Sequence, residues 1–346
     1  MPNKEEIDQL FQALVVNGLE FIERSAGELE EDPKFSIAHF ATGLELLLKA
    51  RLFAEHWSLT ASDPHACTWS GLKDGSVNTV QASALCSVIT SKTGTPLQHS
   101  KDAFKAVFEH RNKALHWIPP GDTRQVAAEQ CRAWYLLHHL LTGTWSGHFA
   151  RFGERIHNVD RRLLVYATYL GAKYKELEGE LRGPRARGAL IACPACGFAS
   201  GVLANLEVSV SMFECLVCHA EGAAGRFRCS QWHALDGPPK ECSCFEIHSR
   251  QQLLDELDPA SLMSPEDQSD AGQTLYSCGV CLAQQTVVPV GDLDGSDMHA
   301  CVGCGAQFKG AVGGHCARCY ELWMSYNTEG SEFHGCPLCS GRYGDD

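Results

Sequence analysis

Apolar side chains recur at three- and four-residue intervals through the first half of the chain and lose that rhythm in the second. Ile7, Leu10, Phe11, Leu14, Val15, Leu19, Phe21 and Ile22 share helical spacing, which predicts a helix over residues 4–29. Its acidic start suits the positive end of the helix dipole. Residues 34–58 are apolar on most sides, which predicts a second helix central to a bundle. The stretch "SDPHACTWSGLKDGSVNT" is rich in turn residues and reads as an irregular insertion. A short helix follows over 80–91 and an amphipathic one over 98–118. "IPPGD" ends the latter, because proline cannot continue a helix. Residues 123–143 and 155–181 complete an all-α bundle of five or six helices spanning residues 1–182.

Past residue 182 the pattern changes. "RGPRARG" is basic and rich in Gly and Pro, and predicts a linker over 183–192. Beyond it, helical periodicity fades, and short β-prone runs such as "LEVSVSMF" separate cysteine pairs. Cys193, Cys196, Cys215 and Cys218 form one C-x-x-C pair of pairs, with 18 residues between the pairs. Cys278, Cys281, Cys301 and Cys304 repeat the arrangement with 19 between, and Cys316, Cys319, Cys336 and Cys339 with 16. Each spacing fits a zinc ribbon, in which two knuckles give four thiolates to one ion; iron in a rubredoxin-like site and re-paired ligands are the other readings. Four thiolates close the coordination sphere, so these sites read as structural, the metal replacing the core that short modules lack.

Cys229, His233, Cys242 and Cys244 form a less regular set that reads either as a fourth zinc site or as spectator thiols. His219 and His248 are substitute donors for it. Cys67, Cys86 and Cys131 stand apart from any pair and read as buried thiols of the bundle. The second half thus divides into a first ribbon with the added Cys/His cluster (193–250), an acidic spacer (251–277) and two further ribbons (278–346).

Composition sharpens this division. The chain has 346 residues, 44% hydrophobic and 21% charged, as an ordinary globular protein does. Nothing approaches the run of about 18 apolar residues that a membrane span requires, and the acidic start does not read as a signal peptide. A reducing, cytoplasmic setting is the expectation, and there 18 cysteines argue for metal rather than disulfides. The net charge of −13 is uneven: residues 1–32 carry −7, residues 33–192 carry +7 and residues 193–346 carry −13. Only the middle suits a polyanion such as RNA, and the acidic second half argues against a general nucleic-acid grip there.

One helix carries candidate chemistry. In "FEHRNKALHW", residues 108–117, Asn112 and His116 are four apart and lie on one stripe, with Arg111 about 100° around from Asn112. Glu45 and Lys49, polar on the otherwise apolar second helix, read either as lining the same groove or as partners of a buried arginine, and Arg111 could pair with Glu45 or with neighbours of Glu109. An Arg-x4-His string near a helix end, with a polar residue after the arginine, in a small α-bundle, resembles the signature of the HEPN superfamily (higher eukaryotes and prokaryotes nucleotide-binding). "ATGLELLLKARLF" is similar to a central helix of many such domains. The resemblance covers roughly residues 1–182 and leaves the cysteine-rich half unexplained.

The resemblance implies a metal-independent endoribonuclease centre assembled across a homodimer, with Arg111, Asn112 and His116 as its residues. Such domains often serve as effectors in prokaryotic defence or toxin–antitoxin systems. The residue types suit the task. A histidine exchanges protons near neutral pH, and an arginine fork meets charge building on phosphate oxygens. Catalytically silent HEPN-like domains also exist, so a dimerisation and adaptor module, with the ribbons docking a protein partner or trigger, is the alternative.

Overall fold

The computed structural model describes residues 2–117, 122–207, 210–226, 231–235, 275–284, 286–290, 298–302, 304, 306–309, 312–325 and 336–339. They fall into two compact units, residues 1–176 and 177–346. The first is helical and the second carries small β-sheets with clustered cysteines, as the change of pattern along the chain predicts.

The first unit contains α1 (Lys4–Glu28), α2 (Pro33–Glu55), α3 (Trp69–Asp74), α4 (Ala82–Thr93), α5 (Gln98–His116), α6 (Thr123–His139), α7 (Ser146–Phe149), α8 (Gly153–Leu163) and α9 (Ala167–Glu176). Helix α1 starts on a reciprocal cap: Glu6 N–H donates to Asn3 Oδ1 at 2.8 Å, and Asn3 N–H to Glu6 Oε2 at 3.0 Å. Helix α2 starts with Pro33 in its first turn, where a missing N–H costs nothing. Its Ile37, Phe40, Leu44, Leu47, Leu48, Leu52 and Phe53 are all buried, and it packs against α1, α4, α5 and α6. That is the central position its apolar composition predicts. A Cβ on Gly43 would sit 2.6 Å from the Gly18 carbonyl oxygen, so glycine sets the closeness of α1 and α2.

Two segments differ from expectation. The single helix predicted over 155–181 is broken into α8, α9 and α10 (Glu178–Ala186). Leu163, Leu164, Val165 and Tyr166 are four consecutive apolar residues that no single helix face can bury. The chain turns there, leaving Val165 77% exposed and burying Tyr169. Tyr169 Oη donates to Asp160 Oδ1, and Trp134 Nε1 donates to the same oxygen at 3.3 Å. The basic segment predicted as a linker over 183–192 is the end of α10, with Pro184 inside it, followed by strand β1 (Leu190–Ala192). Leu181, fully buried, anchors α10 against the bias of its Gly and Pro.

In the second unit, β1, β2 (Ala199–Leu203), β3 (Val210–Cys215), β4 (Glu221–Arg226) and β5 (Trp232–Ala234) form an antiparallel sheet in sequence order. Strands β7 (Val287–Val290), β8 (Met298–Cys301) and β9 (Gln307–Lys309) form a second. The third joins β10 (Val312–His315), β11 (Leu322–Ser325) and β6 (Ser277–Cys278), with β11 and β6 parallel. Val210, Met212, Ala223 and Leu235 of the first sheet pack into one core with Val288, Val290, Ala300 and Val302 around the second. The expectation that short modules lack a core is therefore corrected: the sheets build one by facing each other. The acidic spacer expected over 251–277 lies outside the described residues up to position 274.

Candidate functional site

Helix α5 presents Phe104, Val107 and Phe108 to the core, and the rotation that buries them turns Arg111 and Asn112 toward a groove. Arg111 Nη1 donates to Glu45 Oε2 of α2 at 3.0 Å, and its Nε donates to Asn112 Oδ1 at 3.3 Å. Its guanidinium also lies 5.6 Å from the Phe108 ring centre. Glu45 is shared: its Oε1 accepts from Lys49 Nζ at 2.6 Å, and Lys49 reaches Thr79 Oγ1 at 2.9 Å. Burial pushes the Glu45 carboxyl upward, but Lys49 and then Arg111 more than offset this and hold it below the usual range.

The groove is a cleft of about 540 Å³, lined by the opening of α4 (Gln81, Ala82, Ser83), by Lys101, Lys105, Arg111 and Asn112 of α5, and by Glu45. Of the three candidate residues, Arg111 and Asn112 therefore meet at the cleft. His116 is exposed in the last turn of α5 and is not among the residues lining it. Beside it, Leu115 is 50% and Trp117 is 80% exposed, unusual for side chains of that size. His110, next to Arg111, turns the other way and pairs with Glu129 of α6 at 2.6 Å. Lys101, Lys105 and the start of α4 are cleft residues that the helical pattern did not single out. The signal for the lysines was available: 101, 105, 108 and 112 recur at helical spacing.

The cysteine groups are three further sites. In each predicted quartet the four Sγ atoms lie within 4.8 Å of one another. Cross-pair separations are 3.6 Å for Cys193–Cys218 and 3.7 Å for Cys196–Cys215. Cys278–Cys304 and Cys281–Cys301 are each 3.7 Å apart, Cys316–Cys339 3.9 Å and Cys319–Cys336 3.5 Å. A disulfide would need about 2 Å, whereas a tetrahedron of thiolates about 2.3 Å from a zinc ion has edges of about 3.8 Å. The residues fit a metal ion of that kind, and each site is saturated by sulfur. Outer hydroxyls support the ligands: Ser200 Oγ is 3.1 Å from Cys215 Sγ, and Thr286 Oγ1 is 3.2 Å from Cys301 Sγ.

The knuckle geometry also explains a backbone oddity. The residue after a knuckle's second cysteine donates its N–H to the first cysteine's carbonyl, as Gly197 does to Cys193 at 2.8 Å and Tyr320 to Cys316 at 2.9 Å. This turn needs the left-handed region, which Gly197 enters at φ 80°, and His219, Leu282 and Tyr320 enter at 59°, 62° and 60°. His233 sits on β5, while Cys229, Cys242, Cys244 and His248 lie outside the described residues. Cys86 and Cys131 are buried, and burial pushes their thiols up to about 11 and about 12. Cys67 differs in being only half-buried. Among the described residues no helix is long and apolar enough to cross a membrane. No protein-family model, curated protein or solved structure matches this chain, so the reading of its sites rests on its own residues.

Proposed function

We propose that the helical unit is a metal-independent endoribonuclease centre of the HEPN type, working as a homodimer in the cytoplasm. The observation that carries the reading is the placement of Arg111. Its guanidinium is held at a cleft by Glu45 through one arm and by Asn112 through Nε, leaving Nη2 without a partner among the described residues. That free arm suits a phosphate oxygen. His116 stands exposed five residues further on, about one and a half turns of the helix.

In the proposed reaction a His116 imidazole takes the proton of a 2′-hydroxyl, whose oxygen attacks the adjacent phosphorus. The bond to the 5′-oxygen breaks, and a second His116, from the partner copy, gives that oxygen its proton. Arg111 stabilises the charge on the non-bridging oxygens, and Asn112 orients the arginine. The products are a 2′,3′-cyclic phosphate and a 5′-hydroxyl. The cysteine-rich unit, acidic and with its sites closed by sulfur, serves as a recognition or regulatory module toward a protein partner or trigger. A role as an effector in prokaryotic defence or in a toxin–antitoxin pair fits that combination.

A second reading has its own support. His116 is absent from the cleft lining and Arg111 is engaged by Glu45, as in a catalytically silent dimerisation and adaptor module. The discriminating experiment is cleavage of unstructured RNA by the full chain, with His116→Ala and 2′-O-methyl RNA as controls. Loss of cleavage in both controls supports the nuclease. No cleavage by the unmodified chain favours the adaptor.

A further inference from the structure

The cleft between α4 and α5 holds more cation than the cleavage centre alone requires. Lys101 and Lys105 line it together with Phe108, Arg111 and Asn112, so one face of α5 forms its wall. From Lys101 to Asn112 that wall runs about 16 Å at the α-helical rise. On the facing side, Gln81, Ala82 and Ser83 open α4, where Gln81 makes no side-chain capping hydrogen bond. The first N–H groups of α4 and the positive end of its dipole therefore add to the lysine charge.

The carboxylates in the cleft do not cancel this surplus. Glu45 is committed to Lys49 at 2.6 Å and Arg111 at 3.0 Å. Glu109 stands 3.6 Å from Lys105, but the two side chains are 55% and 69% exposed, so their pair is weak and easily exchanged for another anion. Two lysines are point charges without a fixed fork, which suits phosphates met at varying angles and not a base edge.

We propose that this cleft is a phosphate track for a single RNA strand, in which Lys101 and Lys105 hold the phosphates neighbouring the one at Arg111. The choice of RNA as the strand rests on the ribonuclease reading. Thus Arg111 marks the reacting phosphate and the lysines set how far the strand extends along α5.

The test measures binding by the full chain of a fluorescein-labelled 2′-O-methyl RNA oligonucleotide, which cannot be cleaved, at salt from about 50 to about 200 mM. Each phosphate contact on a single strand contributes about 0.7 to the slope of log affinity against log salt. Lys101→Gln/Lys105→Gln is expected to lower that slope by about 1.4 and each single variant by about 0.7, with helical circular dichroism unchanged. Lys73→Gln/Lys92→Gln, which removes the same charge outside the cleft, is expected to leave it unaltered. An unchanged slope in the cleft variant, an equal fall in the control, or no binding by the unmodified chain overturns the track. If the chain binds with the lysine-dependent slope yet leaves unmodified RNA intact, the track stands and the ribonuclease reading falls.

Discussion

At the scale of single residues, the helical unit turns on how a few buried charges are satisfied. Glu45 joins two cations, so its removal strands both. Glu45→Gln leaves Lys49, only 13% exposed, beside a neutral amide, and removes the charge that holds Arg111. Arg111→Ala and His116→Ala are each expected to slow RNA cleavage by about 10² to 10⁴ without altering helicity, because neither side chain fills the core. Asn112→Ala is expected to be milder, since it orients without charge. Cleavage assays on the three variants check this order, and an Asn112 effect exceeding that of His116 would contradict the roles assigned.

His138 supplies a second prediction at this scale. Burial lowers its pKa to about 4; Asp160 opposes the shift, while His157, Lys173 and His139 reinforce it. Because the folded value lies below the ordinary 6.5, its contribution to stability is complete above about pH 6.5 and fades as pH falls toward 4. A difference of that size corresponds to at most about 3 kcal/mol. Urea unfolding followed by helical dichroism at pH 7 and pH 4.5 measures it, with His138→Gln as reference. The unmodified chain is expected to lose more stability between the two pH values than His138→Gln does.

At the scale of elements, the contact between α1 and α2 is the most sharply determined. Gly43→Ala would drive a Cβ to within 2.6 Å of the Gly18 carbonyl oxygen and 2.7 Å of Ile22 Cγ1. The first obstacle is backbone and cannot rotate aside, so the helices must separate. Such overpacking costs about 1–3 kcal/mol, and each kcal/mol lowers the melting temperature of a unit this size by about 2–4 °C. A melt of the Gly43→Ala chain, with Gly27→Ala as a control whose Cβ meets nothing, tests it.

Elements of this kind were partly legible in the sequence. The periodicity of α1 and α5 and the apolar length of α2 declared them, and Glu45 stood out as a polar residue on an apolar helix. The break between α8 and α9 did not show, because the apolar run from Leu163 to Tyr166 also suits a helix buried on several sides, and only the tertiary structure, which buries Tyr169 and exposes Val165, decides for the turn. The cleft was half legible for the same reason. Spacing on α5 placed Arg111 beside Asn112, but the wall supplied by the start of α4 comes from packing, which no local pattern encodes.

At the scale of the whole chain, the cysteine spacing revealed three quartets but not that their sheets are joined. Strand β6, which carries Cys278, pairs in parallel with β11, which follows Cys319. Gly279 N–H donates to the Met324 carbonyl at 3.1 Å, and Ser277 Oγ donates to Glu321 Oε1 at 2.6 Å. Met324 also packs in one cluster with Cys278 and Cys301. The second and third quartets are therefore linked by a strand pairing and by Met324, while Cys316, Cys336 and Cys339 pack in a cluster of their own with Trp323, and loss of a metal from one is expected to loosen the other. Among the described residues the first quartet's sheet meets the second's through apolar packing, with Val210, Met212 and Ala223 against Val288, Val290 and Ala300. Thiolate sites of this type bind metal as they fold, so coupling between sheets becomes coupling between ions.

The purified chain is accordingly expected to carry about three zinc ions, or four if Cys229, His233, Cys242 and Cys244 bind another. Cys316→Ser/Cys319→Ser is expected to lose the third ion and to speed chelator-induced release of the second, while release of the first stays closer to that of the unmodified chain. Elemental analysis gives the count, and zinc release to a colorimetric chelator gives the rates. Brief chelation should leave RNA cleavage intact, since the proposed reaction uses only Arg111, Asn112 and His116. Loss of one ion with the other two released at unaltered rates would mean that the pairing of β6 with β11 carries no linkage between the sites.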